Sequence, residues 1–260
     1  MVHIRQSTRT NQLPLSVLKG WWQSIVSADF DGDGRPDLAA GNWGRNSVYE
    51  LYRNEQESPR LTLFAGALGG TTEHDLFLAY LAADGRWWPV SPFTEVSPIW
   101  PRMAARFPTH RAYAAATAEE ILTDHLPQLV RHEVNFLDSI VLLNRGNYFD
   151  LVLLPAAAQL SPVFGLVAVD FNQDGQLDLV LAQNFSRHGH LYTRDDAGTA
   201  QVLLGRGDGT FQALESGAAG IRIDGEQRSV LSFPTGSGRG SDLVVTGPAG
   251  RVWRYRTLAP

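Results

Sequence analysis

Apolar residues in this chain fall mostly in short runs separated by turn-forming residues. Ile140 to Asn144, Leu151 to Leu154 and Gln201 to Leu204 each read as a strand, and the last runs into the turn Gly205 to Gly209. With 25 glycines and 14 prolines the chain has many turns, which suits short strands better than long helices. One stretch differs. Ala112 to Ala118 is alanine-rich, and Glu119 to Leu122 and Leu126 to Val134 space their apolar residues three and four apart. The pattern predicts helix there, with Thr117 as a cap and Glu120 three residues on. Pro92, Pro98, Pro101 and Pro108 predict an irregular lead-in. The expectation is a mainly β chain, one region over residues 1–260, interrupted by a helical insertion at 96–135.

Two segments repeat one pattern of apolar strand, acidic loop and apolar strand. They are Ile25 to Leu38 and Leu166 to Leu179. The closing Asp-Leu recurs twice more, at Asp75-Leu76 and Asp242-Leu243, again followed by apolar residues. Repeats decide architecture. Four anchors at 37, 75, 178 and 242 predict about four repeat units.

The two full copies carry a nine-residue pattern of Asp, any residue, Asp or Asn, any residue, Asp, Gly, any two residues, Asp. Calcium is a hard cation that takes about six to eight oxygen ligands. Such a loop offers side-chain oxygens at positions one, three, five and nine and a backbone carbonyl at seven. Gly34 and Gly175 stand at position six, where a sharp turn needs positive φ. The ligand set predicted for the first loop is Asp29, Asp31, Asp33, Arg35 (backbone) and Asp37. For the second it is Asp170, Asn172, Asp174, Gln176 (backbone) and Asp178. An EF-hand is rejected, since position twelve is Ala40 or Leu181 instead of Glu. Four carboxylates converging in the first loop would repel one another, and a bound dication relieves that. By charge count the first loop is expected to bind calcium more tightly, because Asn172 replaces one carboxylate in the second. Equivalent positions in the weaker copies are Ala67, Gly69 and Thr71, and Pro234, Gly236 and Gly238, none of which can chelate. The repeat is therefore architectural, and metal is an addition to some copies.

At these loops, and at the turn Leu204-Gly205-Arg206-Gly207-Asp208-Gly209-Thr210-Phe211, the sequence resembles the FG-GAP/VCBS repeat family. That family includes the integrin α propellers and many secreted bacterial proteins. Gly41-Asn42-Trp43-Gly44 and the end of the chain resemble the C-terminal part of bacterial VCBS proteins related to the ASPIC/UnbV group. The resemblance covers most of the chain apart from residues 90 to 135. It implies a seven-bladed β-propeller with calcium in loops between strands, bound by the ten residues named above. It also implies an extracytoplasmic protein that binds a protein or glycan. About four blades fall short of seven, which implies missing blades, self-association or a small open propeller.

Composition narrows the alternatives. Hydrophobic residues at 43% and charged residues at 19% permit a sizeable core. Net charge is -5, and the basic residues, all arginine but Lys19, form no stripe, so nucleic acid is not an expected partner. The absence of cysteine excludes disulfides and thiolate metal sites. No apolar run approaches the roughly 18 residues that span a membrane. Met1 to Gly20 lacks a signal peptide's apolar stretch. Trp21-Trp22, Trp43, Trp87-Trp88 and Trp100 are candidates for stacking on a sugar or anchoring a partner, against the plainer reading of core packing. Arg206-Gly207-Asp208 reads as the repeat's own turn instead of an adhesion tripeptide. Asn184-Phe185-Ser186 matches a glycosylation sequon, His188-Gly189-His190 reads as a solvated loop, and Asp124-His125 and Arg131-His132-Glu133 read as the surface of a helix. No nucleophile elbow, zinc-protease motif or phosphate loop is present, so the protein is expected not to be an enzyme. The rivals are a propeller-type polysaccharide-processing enzyme, which would need a charged catalytic cluster, and an architectural segment of a larger surface protein.

Overall fold

A computed structural model of the chain describes residues 2–6, 12–52, 60–68, 75–186, 194–235 and 240–257. The chain divides into two compact units, Met1–Val48 with Leu137–Pro260, and Tyr49–Phe136. The described strands, in chain order, are β1 (His3–Gln6), β2 (Gln12–Pro14), β3 (Ser24–Ala28), β4 (Asp37–Gly41), β5 (Leu61–Gly66), β6 (Asp75–Leu81), β7 (Trp87–Pro89), β8 (Val130–Val134) and β9 (Ile140–Asn144). They continue as β10 (Phe149–Leu153), β11 (Val163–Val169), β12 (Asp178–Gln183), β13 (Val202–Gly205), β14 (Phe211–Leu214), β15 (Ser229–Pro234), β16 (Ser241–Thr246) and β17 (Val252–Arg256).

The first unit holds three sheets. Their orders are β2-β1-β10-β9-β4-β3, β11-β12-β13-β14 and β15-β16-β17. Neighbours are antiparallel except β1 and β10. The leading strand of the second sheet, β11, lies between the leading strands β3 and β15 of the other two. Ser24 Oγ donates to the Val163 carbonyl at 2.7 Å, and Gln183 N donates to Gln227 Oε1 at 2.8 Å. Gly165 permits the second approach, because a Cβ there would lie 2.9 Å from the Ser229 Cα.

This stacking explains the unbroken apolar run of β12. Side chains alternate across a strand. Leu179 and Leu181 face a core shared with Phe30, Ala39, Val141, Leu143 and Phe211. Val180 and Ala182 face another, with Val202, Ile221, Ile223, Leu243 and Val245. Both faces are covered, so no polar alternation survives in the sequence.

The second unit is a sheet of order β7-β6-β5-β8 with short helices packed on one face. Phe64, Phe77 and Ala79 from the sheet meet Val96, Met103, Tyr113, Ile121 and Leu122 from α1 (Phe93–Ile99), α2 (Pro101–Arg106), α3 (His110–Ala114) and α4 (Ala118–Leu122), together with Trp100 at the junction of α1 and α2. The expected capping box is present: Thr117 Oγ1 accepts from Glu120 N, and Glu120 Oε2 accepts from Thr117 N at 2.8 Å. Two expectations for this region are corrected. The proline-rich lead-in forms α1 and α2, since Pro101 sits at the first turn of α2, where its missing N–H costs no hydrogen bond. Leu126 to Val134 is not helical. Thr123–Gln128 makes a 3₁₀ turn containing Pro127, and Val130 to Val134 is an edge strand paired with β5. The β-branched Val130 and Val134 suit the strand, and apolar spacing alone does not separate the two states. Arg131, His132 and Glu133 therefore lie on β8, and His125 packs edge-on to Trp100 at 5.0 Å.

All four repeat anchors hold equivalent places. Asp37, Asp75 and Asp178 open the second strand of the hairpins β3–β4, β5–β6 and β11–β12, and Asp242 is the second residue of that strand in β15–β16. Their cross-strand partners are Ala28, Gly66, Val169 and Phe233. The repeated unit is this hairpin, and it occurs in both units of the chain.

Candidate metal loops

The loop between β3 and β4 and the loop between β11 and β12 share most of their internal hydrogen bonds; Gly32 N donating to Asp29 is particular to the first, and Asn172 Nδ2 donating to Asp174 to the second. Asp29 accepts Asp33 N at 3.2 Å and Gly34 N at 2.9 Å, and Asp170 accepts Asp174 N at 3.1 Å and Gly175 N at 3.0 Å. At position three, Asp31 Oδ1 and Asn172 Oδ1 accept the N–H of position five. At position five, Asp33 and Asp174 accept Arg35 N and Gln176 N, at 2.9 and 2.8 Å. Gly34 and Gly175 take φ of +83° and +85°, as the sharp turn requires.

Position nine does the most structural work. Asp37 and Asp178 are fully buried. One carboxylate oxygen of each closes its own loop, accepting Phe30 N at 2.9 Å or Phe171 N at 2.8 Å. The other oxygen accepts from the third strand of its sheet, Asn144 N at 2.7 Å or Gly205 N at 2.8 Å. Burial pushes the carboxyl pKa of both upward, and these backbone donors pull it back in part. Asp75 repeats the loop-closing bond, accepting Leu68 N at 2.8 Å, although its copy lacks chelating residues. Asp242 instead holds Arg254 and Arg256. Gly69, Thr71, Gly236 and Gly238 lie outside the described residues, as do His188 and His190.

One oxygen from each of Asp29, Asp31 and Asp37 lies within 4.8 Å of the others, a group able to hold a metal ion. The corresponding residues of the second loop are Asp170, Asn172 and Asp178. The donor set of both loops is all oxygen, which fits a hard cation.

The surroundings of the two loops differ in a way that local sequence does not disclose. Arg145, in the turn between β9 and β10, donates Nη1 to Asp31 Oδ2 at 2.5 Å and to Asp33 Oδ2 at 3.1 Å. Its Nε donates to Asp150 at 2.9 Å, and Asp150 also holds Arg5. Arg35 pairs with Asp33 through Nη2 and donates Nε to the Asn144 carbonyl. Repulsion among the first loop's carboxylates is thus already relieved by two guanidinium groups, and a dication is not the sole remedy. Arg145 is 114 residues from Asp31, and no local spacing marks it.

The turn of the second sheet docks against the first loop. Gly209 N donates to the Phe30 carbonyl at 3.1 Å, and Phe211 packs edge-on to Phe30 at 5.6 Å. A Cβ on Gly209 would meet the Leu143 side chain at 2.5 Å. Asp208 is tied to Thr210 N and Oγ1 at 2.8 and 2.6 Å, so the carboxylate of the Arg-Gly-Asp segment serves its own turn. The tryptophans divide. Trp100 is buried in the core of the second unit. Trp43 lies among Trp21, Phe164 and Phe185, with Nε1 on Asp195 at 2.9 Å. Trp88 lines a cavity of about 300 Å³ with Tyr80, Phe93, His110 and Tyr113.

Fold and loops together define a mainly β protein of antiparallel sheets with a recurring hairpin, two copies of which carry an Asp-rich loop. An FG-GAP repeat is found at residues 21–50, spanning β3, the first loop and β4. No curated protein matches the chain. Among the described residues no helix is long and apolar enough to cross a membrane.

Proposed function

We propose that this chain is a propeller-type binding module, not an enzyme, whose hairpin loops are pinned by calcium and which engages a protein or glycan outside the cytoplasm. The observation that carries the reading is the shared set of backbone-to-side-chain hydrogen bonds in the two Asp-rich loops at equivalent hairpin positions, one of them within the FG-GAP match. Calcium would be held by Asp29, Asp31, Asp33 and Asp37 with the Arg35 carbonyl, and by Asp170, Asn172, Asp174 and Asp178 with the Gln176 carbonyl. Its contribution is structural: it fixes the end of one strand to the start of the next. The aromatic cavity around Trp88 supports a binding role, since ring faces with a few polar groups suit a sugar or an extended peptide. A glycan array and a protein pull-down, each run in calcium and in EDTA, test the reading. The expected result is a ligand retained in calcium and lost in EDTA. Turnover of a polysaccharide by the purified chain would contradict it.

A further inference from the structure

The two loops match in backbone but not in countercharge. Around the first, Asp29, Asp31, Asp33 and Asp37 are met by Arg35 and Arg145, which leaves two negative charges unbalanced. Around the second, Asp170, Asp174 and Asp178 make no salt bridge among the described residues, which leaves three. The order expected from the carboxylates alone is therefore reversed once the arginines are counted.

Arg145 is well placed to hold its position. Its side chain is 27% exposed and that of Asp31 is 9%, so the pair is screened less than a surface ion pair. Asp150 and the hydrogen bond from Arg145 N to the Tyr148 carbonyl tether it from the other side. Asp31 is also one of the three carboxylates close enough to share an ion. A dication entering there must compete with the guanidinium for Asp31 and then sit beside a like charge, which opposes binding.

Granting calcium as the ion proposed above, we infer that Arg145 is the residue that decides which loop takes it: Arg145 acts as the first loop's resident cation and directs calcium to Asp170, Asn172, Asp174 and Asp178. Affinity in such loops follows ligand charge and rigidity, and here the effective charge includes an arginine from a distant hairpin.

Calcium titration of the full chain by isothermal calorimetry tests this, with calcium alone as the probe. Five proteins are compared: the parent, Asp174→Asn, Asp31→Asn, and Asp174→Asn combined with either Arg145→Gln or Arg145→Lys. Asp174→Asn keeps an acceptor for Gln176 N, and circular dichroism checks that each variant folds. Asp174→Asn is expected to weaken the tighter site at least about tenfold, while Asp31→Asn leaves it within about threefold. Adding Arg145→Gln to Asp174→Asn is expected to tighten binding at least about tenfold through the first loop, and Arg145→Lys, which keeps the charge, to restore less of it. Loss of the tighter site in Asp31→Asn, or unchanged affinity on removing Arg145, would overturn the assignment while leaving the calcium reading intact. No binding by any of the five would remove both.

Discussion

Asp37 and Asp178 have no exposed surface, and each divides its carboxylate between one donor from its own loop and one from a neighbouring strand. Removing the Asp178 side chain strands the half-buried N–H groups of Phe171 and Gly205, each costing about 1–3 kcal/mol. Asp178→Ala is therefore expected to lower stability by about 2–4 kcal/mol, and amide hydrogen exchange is expected to accelerate at Phe171 and Gly205 ahead of the other sheets. Asp242 predicts a pH effect of definite sign. Hydrogen bonds from Arg256 and Arg254 hold its carboxyl down at about 2. A depressed carboxyl pKa contributes stability above the unfolded value, near 3.8, that is lost as pH falls toward 2. Thermal melts of Asp242→Asn are expected to show a shallower loss of stability across that window than the parent. Asp37 and Asp178 act in the opposite sense. Their pKa values are raised by burial, so their contribution is present below the ordinary carboxylate value and is lost as pH rises through the native one. The loop residues themselves are legible in the sequence because their spacing is local. Arg145, Asn144 and Gly205 are not, because each reaches its loop across a sheet.

Among elements, the same division between local and distant causes decides what the sequence discloses. The cap at Thr117 and Glu120 is a three-residue relationship, readable from the sequence by itself. Thr117→Ala is expected to cost about 1 kcal/mol and to fray α4, seen as faster exchange at Glu120 and Ile121. The edge strand β8 carries helix-like apolar spacing, and its pairing partner, β5, lies some 70 residues earlier, Thr62 opposite Glu133. The parallel pairing of β1 with β10 is more remote still, Ile4 opposite Phe149, and nothing in either segment announces it. Gly209, by contrast, belongs to a turn whose residues are readable, while its reason is tertiary: it passes against Leu143 and donates to Phe30. Gly209→Ala is expected to loosen the second sheet from the first loop by about 1–3 kcal/mol, combining a positive-φ penalty with a clash. Exchange protection at the Gly209 amide would report it.

For the molecule as a whole, the Asp-Leu anchors are a hairpin signature, and the hairpin recurs in both units with or without its ligands. Architecture and metal capacity are thus separable: two copies carry a loop with a ligand set of oxygen donors, and the remaining copies close by hydrogen bonds or by the Asp242 ion pairs. The most direct test of calcium as a structural pin is the melting temperature of the full chain in about 1 mM calcium, as found outside cells, against EDTA. An ion bound only by the folded state at about a hundredfold over its dissociation constant adds about 2.7 kcal/mol, or about 5–10 °C in a chain of this size. The account predicts that rise, reversed by EDTA. Identical melting temperatures in the two buffers would contradict it.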